Sequence, residues 1–193
     1  MIENYFGIPV KLVDTDNQDV INEAVQVAET QRSNTTNPWS SDIQSTFKFD
    51  EYINVLKDQC PLLSKHIYKH IHQYLAELAV DPPYTLVNLD ESWYNYSQPG
   101  MWQEFHMHPE SDISGIFYVT APKDSGNIMF NPPASAYNFH KLTHRAKNMQ
   151  PNIWFEPIVG RLLIWPSYLE HMVVKNKSNE ERISIAFNVK LIN

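Results

Sequence analysis

From residue 84 onward the chain is a succession of short segments rich in β-branched and aromatic residues, separated by turn-forming residues. Segments of this kind predict β-strands, and their close spacing predicts antiparallel pairing. Four of the five glycines lie in this half, where tight corners need them. The pattern therefore predicts an antiparallel sandwich or jelly roll. The expected strands are Tyr84–Leu89, Ser92–Ser97, Trp102–His108, Ile113–Thr120, Asn127–Phe130, Ile153–Glu156, Arg161–Trp165, His171–Lys175 and Arg182–Lys190.

The first 83 residues carry helical patterns instead. A short strand over Ile8–Val13 precedes Asp14–Asp16, whose side chains offer N-cap acceptors for a first helix. A second helical region covers Tyr52–Leu78, is interrupted at Pro61 and is ended by Asp81–Pro83. We expect both helical regions to pack on the outside of the larger β-sheet.

Length and composition limit the domain organisation and the class of partner. At 193 residues the chain fits one domain, with a helical part over 1–83 and a β core over 84–193. The formal net charge of −7 argues against nucleic acid as the main partner. No signal-peptide pattern and no apolar run of about 20 residues is present. Since the lone Cys60 cannot form an intramolecular disulfide, we expect a cytoplasmic protein without a membrane partner.

Two histidines, His106 and His108, are separated by one residue in a β-forming segment. On a strand such residues point to the same face, so their imidazoles would lie side by side as neutral metal donors. His171 is a third donor on a later β-segment. We expect the three to meet across a small barrel and to hold iron.

Other interpretations of these residues stay open. Taken alone, two histidines at this spacing are more often an ordinary exposed pair, and His171 alone would suit a surface position between loop and strand. Because many non-haem iron sites use two histidines and one carboxylate, Glu110 is an alternative ligand in place of His106.

The last expected strand begins with Arg182, which shares a strand face with Ser184. An arginine at the start of a strand is usually a solvated edge charge. Here Arg182 and Ser184 could instead bind a carboxylate through bidentate and hydroxyl hydrogen bonds. Tyr118 could offer its hydroxyl to the same ligand, although a core tyrosine is an equally good interpretation.

The stretch from Pro133 to Pro151 is polar, aromatic and basic without a clear period. It predicts a loop near the mouth of the barrel, with Tyr137, His140 and Arg145 as candidate substrate contacts. His66 and His70 lie four residues apart on a helix and are better explained by a solvated helix face.

Taken in order, these motifs resemble the Fe(II)/2-oxoglutarate-dependent oxygenases, and most closely a little-characterised group of such oxygenases from bacteria and tailed phages. The resemblance covers about residues 84–190. The residues that carry it are Trp93-x-Asn95, His106-x-His108-Pro109, Ser114-Gly115-x-x-Tyr118-Val119, Pro166-Ser167, His171 and Arg182-x-Ser184-x-x-Phe187-Asn188.

The resemblance implies a double-stranded β-helix that acts as a dioxygenase on a small-molecule or peptide substrate. It implies Fe(II) at the barrel mouth and 2-oxoglutarate as co-substrate, with Arg182 pairing with the distal carboxylate and Tyr118 near it. The wider superfamily has Asp or Glu where this chain has His108. Two alternatives therefore stay open: a cupin-type metal-dependent dioxygenase that does not use 2-oxoglutarate, and a non-catalytic metal-binding or ligand-binding jelly-roll module.

Overall fold

A computed structural model describes residues 7–80, 86–134, 141, 145 and 152–192. The N-terminal part forms β1 (Lys11–Asp14), α1 (Gln18–Gln31), a 3-10 turn (Arg32–Asn34), β2 (Gln44–Ser45), α2 (Val55–Gln59) and α3 (Pro61–Glu77). The remainder forms β3 (Leu86–Ser97), β4 (Gln103–His106), β5 (Ile113–Thr120), β6 (Ile128–Phe130), β7 (Ile153–Phe155), β8 (Arg161–Pro166), β9 (His171–Val173) and β10 (Arg182–Ile192).

The strands form two antiparallel sheets that face each other. The larger sheet has the order β1-β8-β5-β10-β3-β2, and the smaller has the order β4-β9-β6-β7. From β3 onward the chain passes back and forth between the sheets, which is the connectivity of a double-stranded β-helix. The predicted jelly roll is confirmed.

The helices pack on the outer face of the larger sheet, as predicted. Helices α1 and α3 bury one apolar stripe each, through residues such as Ala24 and Ile67. These side chains share one hydrophobic cluster with Ile183, Ile185 and Phe187, which alternate along β10. The opposite face of β10, with Arg182 and Ser184, is thereby turned into the barrel.

Two local features differ from the expectation. The N-cap of α1 is Asn17 and not a residue of Asp14–Asp16, because the Asn17 side chain accepts hydrogen bonds from the backbone N–H groups of Asp19 and Val20. The segments predicted as two strands between Tyr84 and Ser97 are one continuous strand, β3, in residues 86–97. The polar residues Asp90 and Glu91 at its middle led to the prediction of a break. The chain continues as one strand there because β3 pairs with β10 from one end to the other.

Among the helices of the described residues, none combines the length and the apolar character that crossing a membrane requires.

Gly115 on β5 provides a first test of this packing. A Cβ at this position would lie 2.1 Å from Cζ of Phe187, which occupies the space above the glycine. We expect Gly115→Ala to lower the free energy of unfolding by about 1–3 kcal/mol, measured by urea denaturation, because the Phe187 ring must shift within a packed core. Gly7→Ala is the matched control, since nothing lies within 4 Å of its added methyl group. Equal unfolding midpoints for the two variants would contradict the packing described here.

Candidate metal centre

The antiparallel pairing of β4 with β9 brings the first and last of the predicted histidines together. His106 ends β4 and lies directly opposite His171, which begins β9. Their ring centroids are 4.3 Å apart. His108 lies two residues beyond the end of β4, so it is not on the strand as predicted. Its backbone N–H donates to the carbonyl of Ser167 at 3.0 Å, and this bond holds the chain in place after the strand.

The three imidazoles converge on one point. One ring nitrogen of each of His106, His108 and His171 lies within 4.8 Å of the other two. The Nδ1–H of His106 donates to the carbonyl of Glu104 at 2.8 Å, and that of His171 donates to the carbonyl of Leu169 at 2.9 Å. Because a carbonyl only accepts, both rings keep a free lone pair on Nε2, which is the arrangement found in histidine ligands of metals.

Burial keeps all three rings neutral. Removal from water lowers the pKa of His106, lowers that of His108 to about 3, and lowers that of His171 well below its usual range. The neighbouring imidazoles add to the effect at His108 and His171, since two positive rings so close together would repel each other. Neutral imidazole is the form that coordinates a metal ion.

Aromatic side chains surround the cluster. The Trp165 ring lies 4.9 Å from that of His171, and the Phe130 ring lies 5.8 Å from it. On the other side, Trp93 lies 5.9 Å from His108. These rings keep water away from the backs of the imidazoles, so that the nitrogens face a cavity and not bulk solvent.

A narrow cavity of about 40 Å³ joins the histidines to Arg182. Its walls come from both sheets and from the segment before β2. The lining residues are Trp39, Ile43, Trp93, Asn95, Gln103, His106, His108, Gly115, Ile116, Ile128, Trp165, His171, Val173, Arg182, Ser184, Ala186 and Phe187.

Arg182 is buried inside the barrel and not on a solvated edge, with 1% of its surface exposed. Its Nη1 donates to the carbonyls of Ser125 and Gly126 at 3.0 and 2.8 Å, whereas its Nε has no partner within the described ranges. Among the described residues no carboxylate forms an ion pair with it. Burial lowers its pKa, which reflects the cost of an uncompensated cation in this place.

Ser184 and Tyr118 are neighbours across the sheet, since they face each other in the pairing of β10 with β5. Ser184 is buried and lines the cavity. Tyr118 is fully buried, and its hydroxyl has no hydrogen-bond partner among the residues that the structure describes. Burial raises the pKa of Tyr118 to about 12, so the phenol stays protonated and can donate. Its ring packs in the barrel's apolar cluster with Phe130 and Trp165.

The structure describes only some of the remaining predicted residues, and these do not join the histidine cluster. Glu110 is on an exposed turn outside the group of converging donors. Arg145 is exposed in a turn. Tyr137 and His140 lie outside the described residues. His66 and His70 contact each other on α3, away from the cavity, with ring centroids 4.5 Å apart.

Two amide side chains of the cavity, those of Gln103 and Asn95, were not predicted from the sequence as site residues. The amide nitrogen Nε2 of Gln103 and the amide oxygen Oδ1 of Asn95 are buried and have no partner among the described residues. Strand alternation could have identified Asn95, because it follows Trp93 by two positions and lies beside Ser184 in the register. Alternation could not identify Gln103, which is three residues from His106 and would be expected on the opposite face. An irregularity in the β4–β9 pairing between Gln103 and His106 turns both side chains inward.

The fold is a double-stranded β-helix, and its cavity brings three neutral imidazoles and a buried guanidinium together. The sequence profile of the family described as "Putative 2OG-Fe(II) oxygenase" matches residues 91–188, about half of the chain. The chain therefore belongs to the 2OG-Fe(II) oxygenase family, whose members depend on Fe(II) and 2-oxoglutarate.

Solved structures agree with this fold. A prolyl-4-hydroxylase from Pseudomonas putida is 14% identical with a TM-score of 0.62, over 95% of this chain and 92% of that one. The carbocyclase SnoK of nogalamycin biosynthesis is 13% identical with a TM-score of 0.66, over 94% and 79%. HygX from Streptomyces hygroscopicus, solved with nickel and 2-oxoglutarate, is 12% identical with a TM-score of 0.61, over 95% and 83%. A search of curated proteins returned no match.

The low pKa of the buried imidazoles predicts how stability depends on pH. In the unfolded chain these histidines bind protons below the ordinary imidazole pKa near 6.5, whereas in the folded chain they do not. The metal-free protein therefore loses stability as the pH falls from 7 to 5. One histidine that stays neutral in the fold contributes a slope of at most about 1.4 kcal/mol per pH unit.

We therefore expect His108→Asn to flatten the curve of unfolding free energy against pH, measured by urea denaturation of chelator-treated protein. His72→Asn, at an exposed position on α3, serves as the control and should keep the wild-type slope. A wild-type slope in His108→Asn would contradict the neutral buried state of His108.

Proposed function

We propose that His106, His108 and His171 bind Fe(II), and that Arg182 binds the distal carboxylate of 2-oxoglutarate. We further propose that the enzyme hydroxylates a C–H bond of a small-molecule or peptide substrate. The observation that carries the proposal is a buried guanidinium that has no counter-ion among the described residues, in the same narrow cavity as three converging neutral imidazoles.

The donor set fits iron. Imidazole nitrogen suits Fe(II), and three protein ligands leave coordination positions open for other groups. The three converging donors here are neutral, so the bound ion would keep its full positive charge. That charge favours an anionic co-substrate beside it. Glu110 is not required as a ligand in this arrangement, because it lies on the exposed turn after His108.

The environment of Arg182 fits a carboxylate. A buried cation is costly unless an anion or several hydrogen bonds compensate it, and backbone carbonyls occupy Nη1 alone. A ligand carboxylate would accept a charge-assisted hydrogen bond from the free Nε. Ser184, which lines the cavity on the same strand face, is proposed to donate its hydroxyl to the same group. Tyr118, whose buried hydroxyl has no partner among the described residues, is proposed to donate to the same group.

Iron and 2-oxoglutarate supply the oxidative chemistry when bound. The protein supplies position and exclusion of water. The hydrogen bonds from His106 and His171 to backbone carbonyls fix their ring orientation, and the aromatic residues Trp93, Phe130 and Trp165 shield the ligands.

Three further assignments are proposals of the same kind. One domain over residues 1–193, with parts 1–83 and 84–193, is supported by the hydrophobic cluster that the helices share with the larger sheet. A cytoplasmic location is supported by the single, buried Cys60 and by a metal that needs reducing conditions. The substrate contacts proposed for Tyr137, His140 and Arg145 rest on the polar and basic character of that stretch of sequence.

The metal ligands are tested by removing one of them. We expect His171→Ala to weaken Fe(II) binding by more than about 100-fold, since even outer-shell partners of metal ligands contribute 10- to 100-fold. The measurement is anaerobic titration calorimetry with Fe(II). His72→Ala, at an exposed histidine, should bind Fe(II) like the wild type. Unchanged binding by His171→Ala would remove the three-histidine site from the proposal.

The co-substrate site is tested separately at Arg182. We expect Arg182→Met to keep Fe(II) binding but to weaken 2-oxoglutarate binding by at least about 30-fold, because a ligand carboxylate loses its buried cationic partner. The measurement is calorimetry with the Fe(II)-loaded, oxygen-free protein, followed by assay of succinate after oxygen is admitted. Lys177→Met, at an exposed cation, is the control.

The same experiment separates the alternatives. Oxygen consumption that is indifferent to 2-oxoglutarate would favour a cupin-type dioxygenase. Tight metal binding without affinity for 2-oxoglutarate and without turnover would favour a non-catalytic module. Either result would contradict the proposed function.

A further inference from the structure

We infer that Gln103 is a second binding residue for the distal carboxylate of 2-oxoglutarate, acting beside Arg182. The inference rests on the proposed function, because it assigns a further contact to the same ligand. It starts from the unpaired Nε2 of Gln103, which is buried in the cavity that also contains the unpaired Nε of Arg182.

Gln103 is buried as thoroughly as His171, the most buried of the three histidines. It has 4% of its surface exposed, the same as His171. A buried amide N–H without a partner costs folding free energy, so such a group is rare unless a ligand or an ion satisfies it. Nothing in the described part of the chain accepts a hydrogen bond from this nitrogen. The position is thus arranged for a ligand with a hydrogen-bond acceptor.

The strand register places Gln103 at the Arg182 end of the cavity. Along the β4–β9 pair, His106 lies opposite His171 and Gln103 lies opposite Val173. The next residue, Val174, donates its N–H to the carbonyl of Asn127 at 2.9 Å. The adjacent carbonyl, that of Gly126, accepts from Arg182 at 2.8 Å. Strand β9 therefore runs from the three histidines toward the Arg182 guanidinium.

The separation along the strand matches the length of the ligand. Val173 lies two positions after His171 on β9, which corresponds to about 7 Å along the strand. A five-carbon dicarboxylate that reaches the metal ion with its 2-oxo acid end would place its other carboxylate near the Gln103–Val173 pair. The cavity is narrow, so a slender chain suits it better than a bulky group.

The chemistry of the two side chains is complementary to one carboxylate. A carboxylate has two oxygens and several lone pairs, so it can accept from Arg182 and from Gln103 at the same time. The charge of Arg182 supplies most of the attraction, while the neutral amide adds direction and distinguishes a carboxylate from a methyl group. The β-bulge that turns Gln103 inward is a device often found beside active sites.

The test compares two ligands that differ at one end. The Fe(II)-loaded, oxygen-free protein is titrated with 2-oxoglutarate and with 2-oxopentanoate, which has a methyl group in place of the distal carboxylate. We expect Gln103→Leu to weaken 2-oxoglutarate binding roughly tenfold or more, as for the loss of one hydrogen bond to a charged group. Binding of 2-oxopentanoate should change less than about twofold, since that ligand never used the amide. Gln44→Leu, an exposed glutamine on β2, is the matched control.

A second readout separates binding from structure. Since the amide has no partner in the fold, the metal-free Gln103→Leu protein should unfold at the same temperature as the wild type or higher. A lower unfolding temperature would indicate a structural role and would overturn the inference. An unchanged affinity for 2-oxoglutarate, or an equal loss for both ligands, would overturn it as well. Failure of the wild-type protein to bind 2-oxoglutarate would overturn the proposed function itself.

Discussion

The pairing of β4 with β9 is the interaction on which the site depends. Neither strand is long, and β9 has three residues. Their register nevertheless decides that His106 faces His171, and the bulge within it decides that Gln103 faces inward too. A shift of one residue would turn these side chains to the outer face of the smaller sheet. The chemistry of the cavity is thus set by backbone hydrogen bonds between two short segments 65 positions apart in sequence.

The second requirement is the buried cation of Arg182, which has no counter-ion in the part of the chain that the structure describes. Two backbone carbonyls, of Ser125 and Gly126, hold Arg182 in place. They fix the guanidinium without neutralising it, so its charge remains available to a ligand. Gly126 lets the backbone pass close to Val174 and to the guanidinium. A Cβ at this position would lie 2.2 Å from the carbonyl oxygen of Val174 and 3.2 Å from Nη1 of Arg182. The buried charge of Arg182 lowers the free energy of unfolding, and the binding of an anion can raise it again.

Alternation of apolar and polar residues predicted the strands whose side chains alternate regularly between the two faces of the sheet. The bounds of β5 were predicted to the residue, and the alternation along β10 separated Arg182 and Ser184 from Ile183 and Ile185. Departures from regularity were missed. The short strand β2 lies in a polar stretch without alternation, and Gln103 faces inward through a bulge that strict alternation forbids. The convergence of the histidines was predicted, but His108 reaches the cluster from beyond the strand end.

The cavity also depends on residues outside the segment shared with the family profile. That segment begins at residue 91, whereas Trp39 and Ile43 line the cavity from the stretch before β2. The Trp39 ring stacks on Phe47 at 5.4 Å, and the neighbouring Ser40 donates to Glu104 on β4 at 2.8 Å. These contacts fix the stretch across the open side between the two sheets. The family segment therefore provides the three histidines and Arg182, while the N-terminal part supplies the cavity wall beside them.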